Sequence, residues 1–360
     1  MNKKLIALAV AGACVAPAAM AQTANPVTLY GRVYVTLESV EGKGGAAPVP
    51  RRTRVEDQSS YLGVRGTEDL GGGLKAFFQL ETGFRPDSNT TTFAARNSGV
   101  GLQGGWGSVL LGRWDTPWKV VTIAVDPFGD LLQGGITGTL SDGGNFDRRE
   151  QNNIQYWSPT WGGFALRAYY AANEGKAGGA TPINPYSDGA SVTYTGGPAY
   201  VFAVYEEHHD QLNAVNGTAA AATAGAQEKG WAGGGSFVFG PAKIGGQYQE
   251  IKHDTPSGTT SRSKQKNWMG NITLTFGNNQ FIYQYMNSKD GGLSTAASQP
   301  DCDSNSLGWQ YNFTKRTWLI TSYTIVKNND AAACNFGANR LAIAAGQDPQ
   351  GVSLGIRHVF

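Results

Sequence analysis

The chain closes on GVSLGIRHVF, residues 351–360, and this stretch decides the fold. Val352, Leu354, Ile356, His358 and Phe360 fall on one parity, and Gly351, Ser353, Gly355 and Arg357 on the other. A period of two is a strand with one apolar and one polar face. Chain ends usually fray in water, yet here the final aromatic belongs to the apolar face. That face meets something other than water or a soluble core. A lipid interface fits, because aromatic rings sit well at headgroup depth.

The other end agrees. MNKKLIALAVAGACVAPAAMAQ has a basic start (Lys3, Lys4), an apolar stretch from Leu5 to Val15 and an Ala19-Met20-Ala21 cleavage pattern. Residues 1–21 therefore read as a secretory signal peptide and 22–360 as the mature chain. The sequence holds 29 basic and 27 acidic side chains, and the signal removes two lysines and no acid, which leaves 27 of each. Without a basic excess, no nucleic-acid partner is expected. Past the signal, no apolar run approaches the roughly 18 residues of a spanning helix. Charged residues are only 16 % and Gly numbers 50, alongside many Tyr, Thr, Asn and Gln. That composition argues against a mostly helical fold. Cys14 leaves with the signal; Cys302 and Cys334 remain, an even pair in an exported chain, and a disulfide is expected between them.

Alternation continues through the body. Leu29, Val33, Val35 and Leu37 oppose Tyr30, Arg32, Tyr34, Thr36 and Glu38. Leu74, Ala76, Phe78 and Leu80 oppose Lys75, Phe77, Gln79 and Glu81, and Leu307, Trp309, Tyr311 and Phe313 oppose Ser306, Gln310 and Asn312. Seven short connections lie at EDLGGG, GGWGS, SPTWGG, TGGP, FGP, FGNN and FTKRT, the first six of them Gly, Pro or Asn turns. Eight long connections lie near 39–57, 84–95, 115–147, 173–188, 208–228, 252–264, 288–304 and 327–349. Turns and loops in that alternation connect a sixteen-strand, up-and-down antiparallel meander. Tyr156, Trp157, Trp161, Phe237, Phe239, Phe276, Phe281, Phe313 and Trp318 bracket the short turns, as an interfacial girdle does. Only closure removes strand edges that lipid cannot tolerate. The expected fold is all-β, a closed transmembrane barrel, with Phe360 ending the last strand at the turn-side rim.

Several stretches taken together resemble the general porins of Gram-negative bacteria, in the branch typical of β-proteobacteria. They are VTLYGRVYVTLE, LGVRGTEDLGGGLKAFFQLETGF, GSVLLGRWDTP, DPFGD, NNIQYWSPTWGGFALRAYYA, YNFTKRT and the terminal GVSLGIRHVF. The resemblance runs from about Thr28 to Phe360 and is weakest in the long loops. It implies a homotrimer of sixteen-stranded barrels in the outer membrane, among its lipid and lipopolysaccharide. The short turns are then periplasmic and the long loops extracellular. Each barrel holds a water-filled pore for ions and small hydrophilic solutes, and its third long loop folds inward. Barrel-assembly machinery reads the C-terminal aromatic strand, with Phe360 as the signal.

A pore does no bond chemistry, so its character lies in field and width at the constriction. The loop from Asp115 to Asp147 carries Asp115, Asp126, Asp130, Asp142 and Asp147, with Lys119 its only cation. Arg148 and Arg149 follow it. Arg149 shares parity with Gln151, Asn153 and Gln155 and is expected to face the lumen. Arg96 and Arg113 look similar to the family's basic wall. A basic wall facing an acidic loop sets a transverse field. Arg32, Arg65, Lys75 and Arg167 are further inward candidates. The chain departs from the branch at Tyr61, where an Arg is common before the Leu-Gly of the second strand. Arg51, Arg52 and Arg54 in the first long loop stand farther off and are more screened. The expectation is a weak anion preference.

Rival motifs lack their context. GVGLQG fits G-x-G-x-x-G but has no helix after it. DCDSN starts like a calcium loop but has Ser306 where a Gly is needed. His208-His209-Asp210 opens a long loop, where solvated side chains are expected rather than a metal site. No H-E-x-x-H, G-x-S-x-G or C-x-x-C occurs. No catalytic residue, metal or cofactor is expected. The runner-up is a substrate-specific outer-membrane channel for a sugar or an organic anion, with Trp114 and Trp118 as an aromatic slide; a barrel enzyme or an adhesin ranks lower.

Overall fold

The computed structural model describes residues 27–45, 47–129, 132–140, 145–172, 174–180, 182–211, 222–254, 263–290 and 301–360. The expected signal segment lies outside them. The strands are β1 (Thr28–Lys43), β2 (Val49–Asp57), β3 (Tyr61–Gly71), β4 (Leu74–Arg85), β5 (Thr90–Thr92), β6 (Ser98–Gly104), β7 (Gly107–Asp115), β8 (Arg149–Trp157) and β9 (Phe164–Ala172). They continue as β10 (Tyr186–Gly196), β11 (Ala199–Gln211), β12 (Ala222–Phe239), β13 (Ala242–Asp254), β14 (Ser263–Phe276), β15 (Asn279–Asp290), β16 (Cys302–Asn312), β17 (Thr317–Asn328) and β18 (Asp348–Val359). One helix, α1 (Pro117–Ile123), sits in the third long loop.

Eighteen segments form sixteen staves, because two staves are broken. β2 pairs with the loop-side part of β1 and β3 with its turn-side part. β5 and β6 divide β4 in the same way. Every pairing is antiparallel between neighbours, and β1 closes the barrel on β18 from Arg32↔Val359 to Lys43↔Asp348. Gly31 and Phe360 exchange both backbone hydrogen bonds at 3.1 Å, so the last residue completes the seam. All seven short turns fall where the sequence places them. The first long loop is shorter than expected: β1 and β2 reach Lys43 and Val49, so most of 39–57 is hairpin. Its charges become cross-strand pairs, Arg51–Glu41 at 2.7 Å and Arg54–Glu38 at 2.8 Å.

The apolar parity faces outward, with Leu29, Leu37, Leu307, Leu354 and Ile356 all exposed. Rings at Trp161, Phe237, Phe239, Phe276, Phe281 and Phe313 are exposed near the turns. The inward parity is polar, and Gln155, Gln249, Gln284, Ser306, Ser322 and Ser353 are buried because loops enter the lumen. The third loop supplies Trp118, Val121, Val125, Ile136, Leu140 and Phe146. These pack on inward apolar positions of the wall: Phe202, Val204, Ala232, Ile251, Met269 and Met286. Gly230 makes the docking possible, since a Cβ there would lie 2.7 Å from the Phe146 ring. Farther along, Phe128 and Leu132 meet Tyr34, Ile282 and Ile320, so the loop crosses the lumen.

Candidate functional site

The loop's neck is built first. Thr116 caps α1, and Pro117 occupies its first turn, where a missing N–H costs nothing. Arg149 Nη2 lies 2.9 Å from Asp115 Oδ1, and Arg149 Nε donates to Asn97 Oδ1 at 2.7 Å. Asn97 Nδ2 in turn donates to Asp115 Oδ2 at 2.8 Å. Lys119 pairs with Asp147 at 3.0 Å, tying the two ends of the loop together.

Across from this neck, the broken stave makes the other wall. Ser59 adopts φ 61, a left-handed conformation that interrupts β2 and β3 and aims its polar atoms into the lumen. Arg32 donates to the Ser59 carbonyl at 2.6 Å, and Arg96 donates to Ser59 Oγ at 2.7 Å. Both guanidinium carbons stand 4.9 Å from the centroid of the Tyr61 ring. Each of these two like charges is attracted to the π-face of the tyrosine. Arg96 also bonds Glu81, which accepts from Tyr30 at 3.1 Å.

Between the walls lies a cavity of about 300 Å³, with Arg32, Arg96, Lys119 and Arg149 at its surface. Asp115 is the one carboxylate lining it among the described residues. Glu81 pairs with Arg96 and Asp147 with Lys119, so two further carboxylates offset part of the positive charge at this surface.

The expected acidic loop face is not what the described residues form. Asp126 turns into the loop, accepting from the Phe128 and Ile136 amides at 2.9 and 3.0 Å. Asp147 has only 1 % of its side chain exposed, against Lys119. Asp130 and Asp142 lie outside the described residues. Arg148, expected beside Arg149 at the constriction, is instead wholly buried behind the loop, 2.6 Å from Glu150 and 3.9 Å from Glu206. Nearby, His208 is fully buried between Glu206 and Glu228, not solvated as the sequence suggested. Arg113 is at the margin, donating to the Ala95 carbonyl at 2.7 Å. Arg65 and Arg167 lie on the turn side, stacked on Tyr30 and Trp157. Lys75 takes the inward parity near the same rim. Trp118 is completely buried and Trp114 nearly so, which removes the surface an aromatic slide would need.

Two contributors escaped the sequence. Ser59 and Gln58 line the cavity, and only the polar run EDQSSY hinted at a break there. The other is the last long loop. Cys302 and Cys334 are disulfide-bonded, as expected, and hold that loop over the third one. Asn335 N donates to the Gly138 carbonyl at 3.0 Å, Thr137 Oγ1 donates to the Gly337 carbonyl at 2.6 Å, and Ala338 reaches the cavity. Gly138 is required at this crossing, since a Cβ would fall 2.1 Å from the Asn335 carbonyl.

A sequence profile of Gram-negative porins matches residues 7–331. "Outer membrane porin protein 32" of Delftia acidovorans is 32 % identical, with all of both chains covered. "Major outer membrane protein P.IB" of Neisseria gonorrhoeae is 33 % identical over 48 % of this chain and 49 % of its own. Among solved structures, the "anion-selective porin from Comamonas acidovorans" is similar at a TM-score of 0.78 and 29 % identity, covering 93 % of this chain and all of that one. A closed sixteen-stranded barrel, an inward-folded loop and a charged lumen belong to the same architecture: the chain is a member of the Gram-negative porin family, an outer-membrane barrel for passive diffusion.

Proposed function

We propose that this porin passes small hydrophilic solutes with a weak preference for anions. The observation that carries this reading is the cavity surface, where Arg32, Arg96, Lys119 and Arg149 face one carboxylate, Asp115. Low-dielectric walls focus such a field on a passing ion. The preference is weak because Asp115, Glu81 and Asp147 offset most of that charge, and because Tyr61 stands where the branch often places an arginine. The similarity to an anion-selective porin supports the same sign. Arg113 lies at the edge of this field, and Arg65, Lys75 and Arg167 extend it toward the periplasm.

Residues 1–21 act as the export signal, and Phe360 serves as the handle for barrel-assembly machinery. Three barrels associate in the outer membrane, bordered by lipid and lipopolysaccharide. Purified protein in a planar bilayer under a KCl gradient tests the reading. Current steps in groups of three and a zero-current potential of chloride-selective sign are expected. A cation-selective sign or no conductance would overturn it.

A further inference from the structure

We propose that the periplasm-side vestibule, below the constriction, is a binding subsite for monocyclic aromatic carboxylates. This rests on the reading of the barrel as an open, anion-favouring pore. A cavity of about 310 Å³ is lined there by Thr28, Arg65, Phe77, Gln79, Gln103 and Trp114. It contains a guanidinium, two amides and aromatic rings, and none of its lining residues is a carboxylate.

The rings are out of place in a porin wall. Phe77 takes the inward parity of β4, opposite the lipid-facing Phe78. Inward apolar positions such as Phe202, Val204 and Met269 are covered by the third loop, whereas Phe77 stays only half-buried. Phe77 belongs to a connected aromatic floor. Its centroid lies 6.4 Å from Trp157 at an interplanar angle of 28°, and Trp157 lies 5.4 Å from Trp114. This floor is fixed from behind. Trp157 Nε1 donates to Gln155 Oε1 at 2.8 Å, and Gln155 Nε2 donates to the Asp115 carbonyl at 2.9 Å. Arg167 covers Trp157, its guanidinium carbon 5.0 Å from the ring. Trp157, which the alternation alone assigned to the outer girdle, thus faces inward.

Arg65 supplies the charge. It is exposed, rests 4.9 Å over the Tyr30 ring, and has no carboxylate within ion-pair distance among the described residues. A guanidinium matches a carboxylate in a two-pronged bond. A flat ring attached to that carboxylate would lie on Phe77. An aliphatic acid of equal charge would make the ion pair without the ring contact. A neutral aromatic would make the ring contact without the ion pair. Such a site must bind weakly enough to release its ligand, as any conducting site does.

Block of single-trimer KCl current by sodium benzoate, compared with sodium cyclohexanecarboxylate, tests the assignment. The two anions share charge and ring size, and only one has a π-face. Benzoate should half-block at a roughly three- to tenfold lower concentration, the range that aromatic contacts provide. Phe77→Leu keeps an apolar side chain and should bring the two concentrations together. Arg65→Gln should weaken both acids to the same extent. Equal half-blocking concentrations in the unmodified protein would overturn the subsite, as would a benzoate advantage that survives Phe77→Leu, while the chloride-selective potential stood. Absence of conductance in KCl alone would overturn the pore reading and the subsite with it.

Discussion

The Glu228 carboxylate lies 2.9 Å from Nδ1 of His208, on the inner wall directly behind the constriction loop. Its other oxygen lies 3.0 Å from Nδ1 of His253, and Nε2 of His208 lies 3.0 Å from Glu206. Both ring nitrogens of His208 thus face carboxylate oxygens. Phe146 of the loop stacks on that ring at 4.5 Å, and Asn145 of the loop donates to Glu228 at 2.8 Å. This buried polar cluster is the loop's anchor.

Replacing Glu228 with Gln keeps the shape and removes one charge from the cluster. Breaking a buried pair costs about 3–5 kcal/mol. The barrel should still form, but it should unfold at a lower temperature in a heat-modifiability gel and show noisier open-channel current. Unchanged noise and unfolding temperature would contradict the anchor.

The guanidinium carbons of Arg32 and Arg96 each stand 4.9 Å from the centroid of the Tyr61 ring. Each contact is worth about 0.5–2 kcal/mol, depending on desolvation. Tyr61→Phe keeps the ring and should leave the zero-current potential unchanged. Tyr61→Arg adds a cation and should move that potential farther toward chloride. A shift toward cations in the phenylalanine variant, or no shift in the arginine variant, would show that the stack does not set the field.

The disulfide spans 32 residues. Reducing it, or making Cys334→Ser, should cost about 3–4 kcal/mol in the chain-entropy treatment. Because the tethered loop crosses the third one and brings Ala338 to the cavity, release should also raise single-channel conductance. A conductance unaffected by reductant would place the loop outside the current path.

At the extracellular rim, burial works to raise the Asp87 carboxyl, but Arg85, 2.9 Å away, outweighs it and holds the group below the ordinary range. A carboxylate depressed in the folded state stabilises above its unfolded pKa, near 3.9, and that gain is lost only as pH falls through the lower folded value. The turn around Asp87 should therefore resist proteolysis at pH 4 and open below it. Arg85→Gln should move the opening up toward pH 4; identical pH profiles would refute the pairing.

The barrel was legible because period two and turn chemistry are local. Val352 to Phe360 told which face meets lipid, and seven short turns, six of them rich in Gly, Pro or Asn, marked where the strands reverse. The site was less legible because it depends on where loops land. Asp126 reads as a free lumen anion, yet it caps amides that only the folded loop presents. Arg148 and Arg149 are adjacent, yet one is buried behind the loop and the other lines the cavity. Alternation also fails at irregular residues. Asn152 adopts φ 52, so Gln151 turns outward while Glu150 turns in. Ser59 does the same to the second stave, and no periodic pattern announces it.

The cations at the cavity surface, rather than the net charge of the chain, are expected to set the sign of selectivity. The most direct measurement is the zero-current potential in a KCl gradient, compared between the unmodified porin and a variant carrying Arg32→Gln, Arg96→Gln and Arg149→Gln. The account predicts a chloride-selective potential in the first, and its loss or reversal in the second. The same potential in both would contradict it.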